Sequence, residues 1–275
     1  MNDRITVIGA GMMGSAIIKC LVKGNYGGKI TAVDIAPEKL KDLEKIGVKV
    51  SSDNRKFAAD ADIVFIIVKP GDVEKVLKEI CKEIKGKLLV SVAATVPLAF
   101  LRKNASEAKI VRIMPNLGAL VQASYTAYCC EPNVTAEDKE KVKTLLNMMG
   151  ICDEMDEKYM DAITAVSGSG PGYISIIIEA LTYAGLKVGL PRNIALAAAA
   201  QTVMGTGKLV IDLHEDPSKI KDMTTTPGGT TIEAIYQIEQ SQIRPAMIRA
   251  IEEATKKSQA IREKLNLLAK RCLKQ

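Results

Sequence analysis

The stretch Arg4-Ile5-Thr6-Val7-Ile8-Gly9-Ala10-Gly11-Met12-Met13-Gly14 decides the fold of this chain. Ile5 to Ile8 reads as a short strand without charge, and it runs straight into G-x-G-x-x-G. Residues 12–23 then follow a helical apolar pattern. Strand, glycine turn and helix, in that order, form the context in which the motif marks a dinucleotide-binding unit rather than an ordinary turn. Each glycine has its own reason. Gly9 allows the tight turn, Gly11 lets a pyrophosphate reach the backbone, and Gly14 lets helix and strand pack closely.

Working outward, short apolar runs recur at 29–33, 48–50, 63–68, 88–92 and 110–113. The run at 63–68 shows no alternation, as a parallel strand covered on both faces requires. Helical patterns at 37–45, 72–84, 98–103 and 136–148 lie between or after these runs. Alternating units of this length predict an α/β, Rossmann-like, doubly wound parallel sheet over residues 1–155. From Lys158 onward the strand signal stops, and residues 156–275 are expected to form an all-α domain. Ser169-Gly170-Pro171 marks a helix start, with further helices expected at 192–213, 231–239 and 244–268. The helix at 192–213 carries no charge between Arg192 and Lys208 and includes four consecutive alanines, Ala197 to Ala200. A helix that is small or apolar all round has to be buried all round. A domain of this size cannot enclose two such helices alone, so they are expected to pack against another subunit in a dimer.

Composition narrows the function classes. The chain has 275 residues, 47% apolar, with 4% aromatic residues and no Trp, which argues against base-stacking nucleic-acid modules. The net charge of +6 is spread along amphipathic segments, so no nucleic-acid partner is expected. A positive field favours an anionic cofactor and an acidic substrate. The six cysteines include no CxxC pair and no histidine at a ligand spacing, so no metal site is expected. Cys20, Cys81 and Cys129 sit in apolar runs and read as buried free thiols of a reducing cytoplasm. No secretory signal pattern is read at the N-terminus. Residues 170–186 are very apolar, yet Glu179 interrupts them, so a buried helix is expected there and no membrane span. His214, the one histidine, sits in a helix-end setting.

Other motifs fall at strand ends. Asp34 stands twenty residues past Gly14, where an acidic side chain bonds the ribose 2′-hydroxyl of NAD and repels a 2′-phosphate. The alternatives are a helix-capping role for Asp34, or a phosphate met by Lys39. Val68-Lys69-Pro70, Ala93-Ala94 and Met114-Pro115-Asn116 follow the next strands, at the edge where ligands bind such sheets. Asn116 is suited either to orient a carboxamide or to make a turn. In the C-terminal half, Met223-Thr224-Thr225-Thr226-Pro227-Gly228-Gly229-Thr230-Thr231-Ile232 sets five hydroxyls beside a Pro-Gly-Gly turn and opens a helix. Free N–H groups and the positive end of a helix suit a carboxylate there.

Together these residues resemble the pyrroline-5-carboxylate reductase family over nearly the whole chain. GAGMMG at 9–14, Asn54, VKP at 68–70 and MPN at 114–116 are similar to that family's cofactor domain. VSGSGP at 166–171 and HEDPSKIKDMTTTPGGTTI at 214–232 are more specific, and the block at 214–232 resembles the family signature. The resemblance implies a Rossmann domain and an all-helical dimerisation domain, assembled as a homodimer or as a decamer of five dimers. It implies hydride transfer from NADPH or NADH to 1-pyrroline-5-carboxylate, giving L-proline; Asp34 leans towards NADH. By position, Gly9, Gly11, Met12, Met13 and Gly14 would line the pyrophosphate loop, with Asp34 and Asn54 at the adenosine ribose. Val68, Lys69, Pro70, Ala93, Ala94 and Asn116 would meet the nicotinamide half. Gly228, Gly229, Thr230 and Thr231 would cradle the substrate, Ser167 and Ser169 would line it, and Thr231 is the candidate catalytic residue.

The chain departs from the family where MPN usually continues with Thr-Pro; here Leu117-Gly118 follows. This keeps open a reductase of another cyclic imine carboxylate. A β-hydroxyacid dehydrogenase-like enzyme needs a lysine within a helix of the C-terminal domain, whereas Lys187 and Lys208 lie near helix ends. A non-enzymatic nucleotide sensor is the remaining alternative.

Overall fold

The computed structural model describes residues 2–271, with side chains through 265. The strands are β1 (Ile5–Ile8), β2 (Ile30–Val33), β3 (Lys49–Ser51), β4 (Ile63–Ile66), β5 (Leu88–Ser91), β6 (Lys109–Met114), β7 (Ser124–Cys130) and β8 (Gly150–Glu154). They form one sheet in the order β3-β2-β1-β4-β5-β6-β7-β8. The first six run parallel, in the Rossmann order, with β1 at the point where the winding reverses. β7 then lies antiparallel to β6, and β8 parallel to β7. The sequence reading finds the first six strands and misses these two. The buried positions of β7 are Ser124, Thr126, Ala127, Tyr128 and Cys129, mostly small residues with little strand signature. β8 is an edge strand with charged Asp153 and Glu154, which protects an exposed sheet edge.

Successive strand residues face opposite sides, and each side has its own core. Val7, Phe65, Val90 and Val111 pack on α1 (Met12–Lys23) and α6 (Ala136–Asn147). Ile8, Val64, Ile66 and Leu89 pack on α3 (Asn54–Asp60), α4 (Val73–Ile80) and α5 (Leu98–Asn104). The expected helix at 37–45 is a single turn at Pro37–Lys39 followed by a short α2 (Lys41–Lys45). α6 starts with a capping box in which the Thr135 hydroxyl accepts from the Asp138 N–H. Cys20, Cys129 and Cys152 are buried free thiols; Cys81, expected to be buried, is only half-buried on the outer end of α4. Burial pushes the Cys129 thiol up to about 12 and Cys130 to about 11, so neither supplies a thiolate at neutral pH.

One ion pair joins distant parts of this core. Arg112 on β6 is 2% exposed, and its Nη1 donates to Glu157 Oε1 at 2.9 Å. The same oxygen accepts the Leu98 N–H, at the start of α5, at 2.7 Å. Asp161, on α7 (Met160–Ile163), is likewise buried and accepts from Ser258 at 2.7 Å and pairs with Arg262 at 2.8 Å. Contacts therefore group the chain up to Ser169 with the segment from Ala254, and residues 170–253 form a second compact unit. Grouped by contacts, the chain divides at 169/170 and 253/254 rather than at the expected boundary of 155.

The second unit is helical: α8 (Gly170–Lys187), α9 (Arg192–Leu213), α10 (Pro217–Met223), α11 (Thr230–Gln240) and the start of α12 (Ile243–Arg271). α8 and α9 touch where Gly185 meets Ala195; a Cβ on Gly185 would lie 2.8 Å from the Ala195 methyl. α9 ends at His214, in the left-handed conformation. Ala195, Ala199, Thr182 and Ile220 are buried in this unit, while Ile194, Leu196, Met204 and Ile211 are half exposed or more. By length and composition α9, not residues 170–186, is the helix apolar enough to cross a membrane.

Arg112→Ala should destabilise the protein by about 3–5 kcal/mol, because it strips a buried charge from its pair and leaves a void. Urea unfolding of this variant against wild type measures it, and a loss below about 1 kcal/mol would show the pair to be dispensable.

Candidate active site

The first glycine of the motif bends the chain at the end of β1. Gly9 has φ +102°, and a Cβ there would sit 2.3 Å from the Ile67 carbonyl oxygen. Gly14 lies on the same turn, and its Cβ would fall 1.9 Å from the Gly9 carbonyl oxygen. Gly11 differs: a Cβ would meet nothing within 4 Å. Two glycines therefore serve packing, and the middle one leaves the backbone open at the N-terminus of α1. Gly11 is the N-cap there and offers no capping side chain, so first-turn N–H groups remain available for an anion. The residues fit a dinucleotide pyrophosphate at this point.

Two cavities flank the turn. One, of about 470 Å³, is bounded by Gly9, Asp34, Lys39, Asn54, Val68 and Lys69. The buried Asp34 carboxylate accepts from the Ala10 N–H at 2.8 Å and the Ala36 N–H at 2.9 Å, with the Lys39 ammonium at 3.4 Å. It thereby ties the glycine turn to the end of β2. Asn54, in the first turn of α3, donates to Glu79 at 3.0 Å. The other cavity, of about 440 Å³, is bounded by Met12, Met13, Pro70, Ala94, Asn116 and Leu117, and also touches Gly11, Gly14, Val68 and Lys69. Ala93 instead turns into the core beside Val96 and Leu98. An adenosine-sized space and a nicotinamide-sized space thus meet at the open glycine, all within the first unit.

Asn116 lies two residues past β6 and caps a short helical turn at Leu117–Val121. Its Oδ1 accepts the Gly118 N–H at 2.9 Å, and its Nδ2 donates to Ser167 Oγ at 3.0 Å. Ser167 lies in a π-helical stretch, Thr164–Gly168, and its hydroxyl donates to the Tyr125 carbonyl at 3.4 Å. The Ser169 hydroxyl donates to the Thr164 carbonyl at 3.2 Å. Thr95 escaped the sequence reading. It is buried, with φ +66°, a left-handed conformation that a β-branched residue adopts only under strain. It follows Ala94, and nothing in Ala93-Ala94-Thr95-Val96 marks that conformation.

In the second unit, Gly228 has φ +66° and Gly229 caps α11. A Cβ on Gly229 would strike the Thr226 hydroxyl at 2.4 Å. The Gly229 N–H already donates to the Thr226 carbonyl at 3.0 Å. The unspent donors are those of the first helical turn, beginning at Thr230 and Thr231. Thr231 is half-buried and Thr230 exposed.

A Rossmann sheet with an open glycine turn between two cavities, joined to a helical unit with uncovered apolar faces, defines a nicotinamide-dinucleotide oxidoreductase. Comparison with known proteins makes this specific. Residues 157–261 match the family model described as pyrroline-5-carboxylate reductase dimerisation, and residues 4–95 match that of NADP oxidoreductase, coenzyme F420-dependent. A pyrroline-5-carboxylate reductase from Methanosarcina acetivorans is 37% identical, over 96% of this chain and 99% of its own. The solved pyrroline-5-carboxylate reductase of Coxiella burnetii superposes with a TM-score of 0.89 at 30% identity, over 94% of this chain and 98% of that one. The Plasmodium falciparum enzyme, solved with NADP bound, gives 0.84 at 32% identity, over 94% and 98%. The chain belongs to the pyrroline-5-carboxylate reductase family.

Gly14→Ala should lower stability by about 1–3 kcal/mol, since backbone must yield, whereas Gly11→Ala should fold normally and weaken dinucleotide binding. Thermal unfolding and dinucleotide titration of the two variants check this; equal stability losses would refute the division of roles.

Proposed function

We propose that this protein reduces 1-pyrroline-5-carboxylate to L-proline, the last step of proline biosynthesis, using a nicotinamide cofactor. The open N-terminus of α1 between two cavities carries this reading, supported by full-length likeness to pyrroline-5-carboxylate reductases. When bound, the reduced nicotinamide supplies the hydride that the imine carbon accepts. The chain's part is to bind, orient and exclude water. Gly11 and the first turn of α1 at Met12 and Met13 hold the pyrophosphate, on a turn that Gly9 and Gly14 keep tightly packed, and Asn54 holds the adenosine ribose. Val68, Lys69, Pro70, Ala93, Ala94 and Asn116 frame the nicotinamide end, Ala93 through its backbone.

We assign the substrate carboxylate to the first-turn N–H groups of α11, with Gly228 and Gly229 keeping the approach free of side chains. Ser167 and Ser169 line the site. Thr231 is the catalytic residue, its hydroxyl bonded to the ring nitrogen that gains the proton. Its hydroxyl has no protein partner among the described residues, which leaves it free for that bond. We assign NADH as the preferred donor, because a 2′-phosphate at Asp34 would meet a carboxylate that Lys39 only partly offsets. The uncovered apolar faces of α8 and α9 support a homodimer, with a decamer of five dimers as the larger form. Buried free thiols support a reducing, cytoplasmic setting.

Thr231→Ala should lower turnover roughly 5- to 150-fold, the loss of one hydrogen bond in a desolvated site, with cofactor affinity unchanged. Steady-state kinetics on the cyclic imine measures this, and wild-type turnover in the variant rejects the role. With NADH and NADPH side by side, wild type should favour NADH, and Asp34→Asn should shift the kcat/KM ratio towards NADPH by roughly tenfold. An unmoved ratio refutes the assignment of Asp34.

A further inference from the structure

We infer that Ser167 is a positioning residue, which, with the backbone of Gly118, fixes which way the Asn116 carboxamide points. The inference rests on the reading that the cavity at Asn116 takes the nicotinamide half of a dinucleotide. The two ends of an amide are nearly equal in shape but opposite in hydrogen bonding, so its partners alone decide its orientation.

One end of Asn116 meets a partner of fixed sense, and the other meets a hydroxyl whose proton has an acceptor of its own. The Gly118 N–H can only donate, and it takes Oδ1 at 2.9 Å. The Ser167 hydroxyl directs its proton to the Tyr125 carbonyl at 3.4 Å, so a lone pair receives Nδ2 at 3.0 Å. A flipped amide would set Nδ2 against the Gly118 N–H, donor against donor. One Nδ2 hydrogen and one Oδ1 lone pair remain unspent, the complement of a primary carboxamide. The backbone beneath is held as well, since the Asn116 N–H donates to Ser124 Oγ at 3.0 Å.

Both clamp residues are shaped for this task. Ser167 sits in a π-helical stretch, a distortion that re-aims side chains within a helix. Its neighbour Gly168 lines the same cavity, where a Cβ would come within 2.7 Å of the Met114 methyl. At Gly118 a Cβ would lie 2.4 Å from the Ala123 carbonyl oxygen, and a proline would remove the N–H that holds Oδ1. This is the position at which the chain carries Leu-Gly in place of Thr-Pro. The clamp is thus built from this chain's own residues.

A double-mutant cycle of Ser167→Ala and Asn116→Ala tests the inference, reading the dissociation constants of NADH and of ADP-ribose together with turnover. ADP-ribose lacks the nicotinamide and reports an intact fold. Ser167→Ala should weaken NADH and lower turnover on the order of tenfold, the worth of one hydrogen bond. ADP-ribose affinity should stay within about twofold, as for a contact confined to the other half of the ligand. The double variant should be no worse than Asn116→Ala alone, and Ser167→Thr should recover most of the loss. Additive effects, or ADP-ribose weakening in step with NADH, would overturn the clamp. A wild type that shows the NADH and ADP-ribose split but does not reduce the cyclic imine would overturn the function and leave the clamp standing.

Discussion

Among the described glycines the tightest approach is that of Gly14 to the Gly9 carbonyl, where no side-chain carbon fits. It forces α1 to lie directly on the turn that leaves β1, so the helix N-terminus opens at the carboxyl edge of the sheet. Because β2 and β4 flank β1, that edge is also where the winding reverses and a crevice forms. Asp34 locks the arrangement from β2 by taking the Ala10 N–H. Everything placed around the crevice, including Asn54, Lys69, Ala94 and Asn116, comes from a strand end or the helix turn that follows one. Their positions are consequences of the sheet order more than of their own contacts.

The two compact units solve burial differently. In the first, alternate strand residues feed two cores, and helices close both faces, so the apolar content is absorbed within the chain. In the second, the packing of α8 on α9 through Gly185 and Ala195 buries small residues and leaves the large ones outside. Fully burying a side chain such as Ile211 or Leu196 contributes about 1.5–3 kcal/mol. Apolar side chains left uncovered in such number mark an interaction surface. The family match over 157–261 names that interaction as dimerisation. The hydroxyl-rich turn before α11 belongs to this second unit.

Much of this could be read from residues alone, and the limits have physical causes. The central parallel strands β1, β4 and β5 were legible because a strand covered on both faces must be largely apolar. β7 was not, because its buried residues are small or polar and are satisfied by neighbours such as Ser124 and Thr126. The grouping of residues 157–169 with the sheet was not legible because the ties that carry them there are long-range: Arg112 with Glu157, and Asp161 with Ser258 and Arg262. No local pattern announces such pairs. At the site, the glycines and Asn116 were legible as motif positions, whereas the loss of the Gly229 N–H to Thr226 depends on the turn closing. Thr95 was invisible because strain is a property of backbone placement, not of residue type.

The loop after β6 shows how a site keeps its backbone while its walls change. Gln122 adopts φ +57°, which costs a non-glycine residue about 1–2 kcal/mol. Its side chain offsets part of that by donating to the Met148 carbonyl at 3.3 Å. Four residues earlier, Gly118 is required because the Ala123 carbonyl presses against it. The turn therefore spends its one glycine on a close approach and tolerates strain at its end. The chain then returns into β7 in the register that sets Met114 opposite Ala127. What differs is the wall: Leu117 presents an exposed apolar side chain at the rim of the cavity beside Asn116. Behind that rim stands the half-buried Asn116 amide, held at both ends by Gly118 and Ser167.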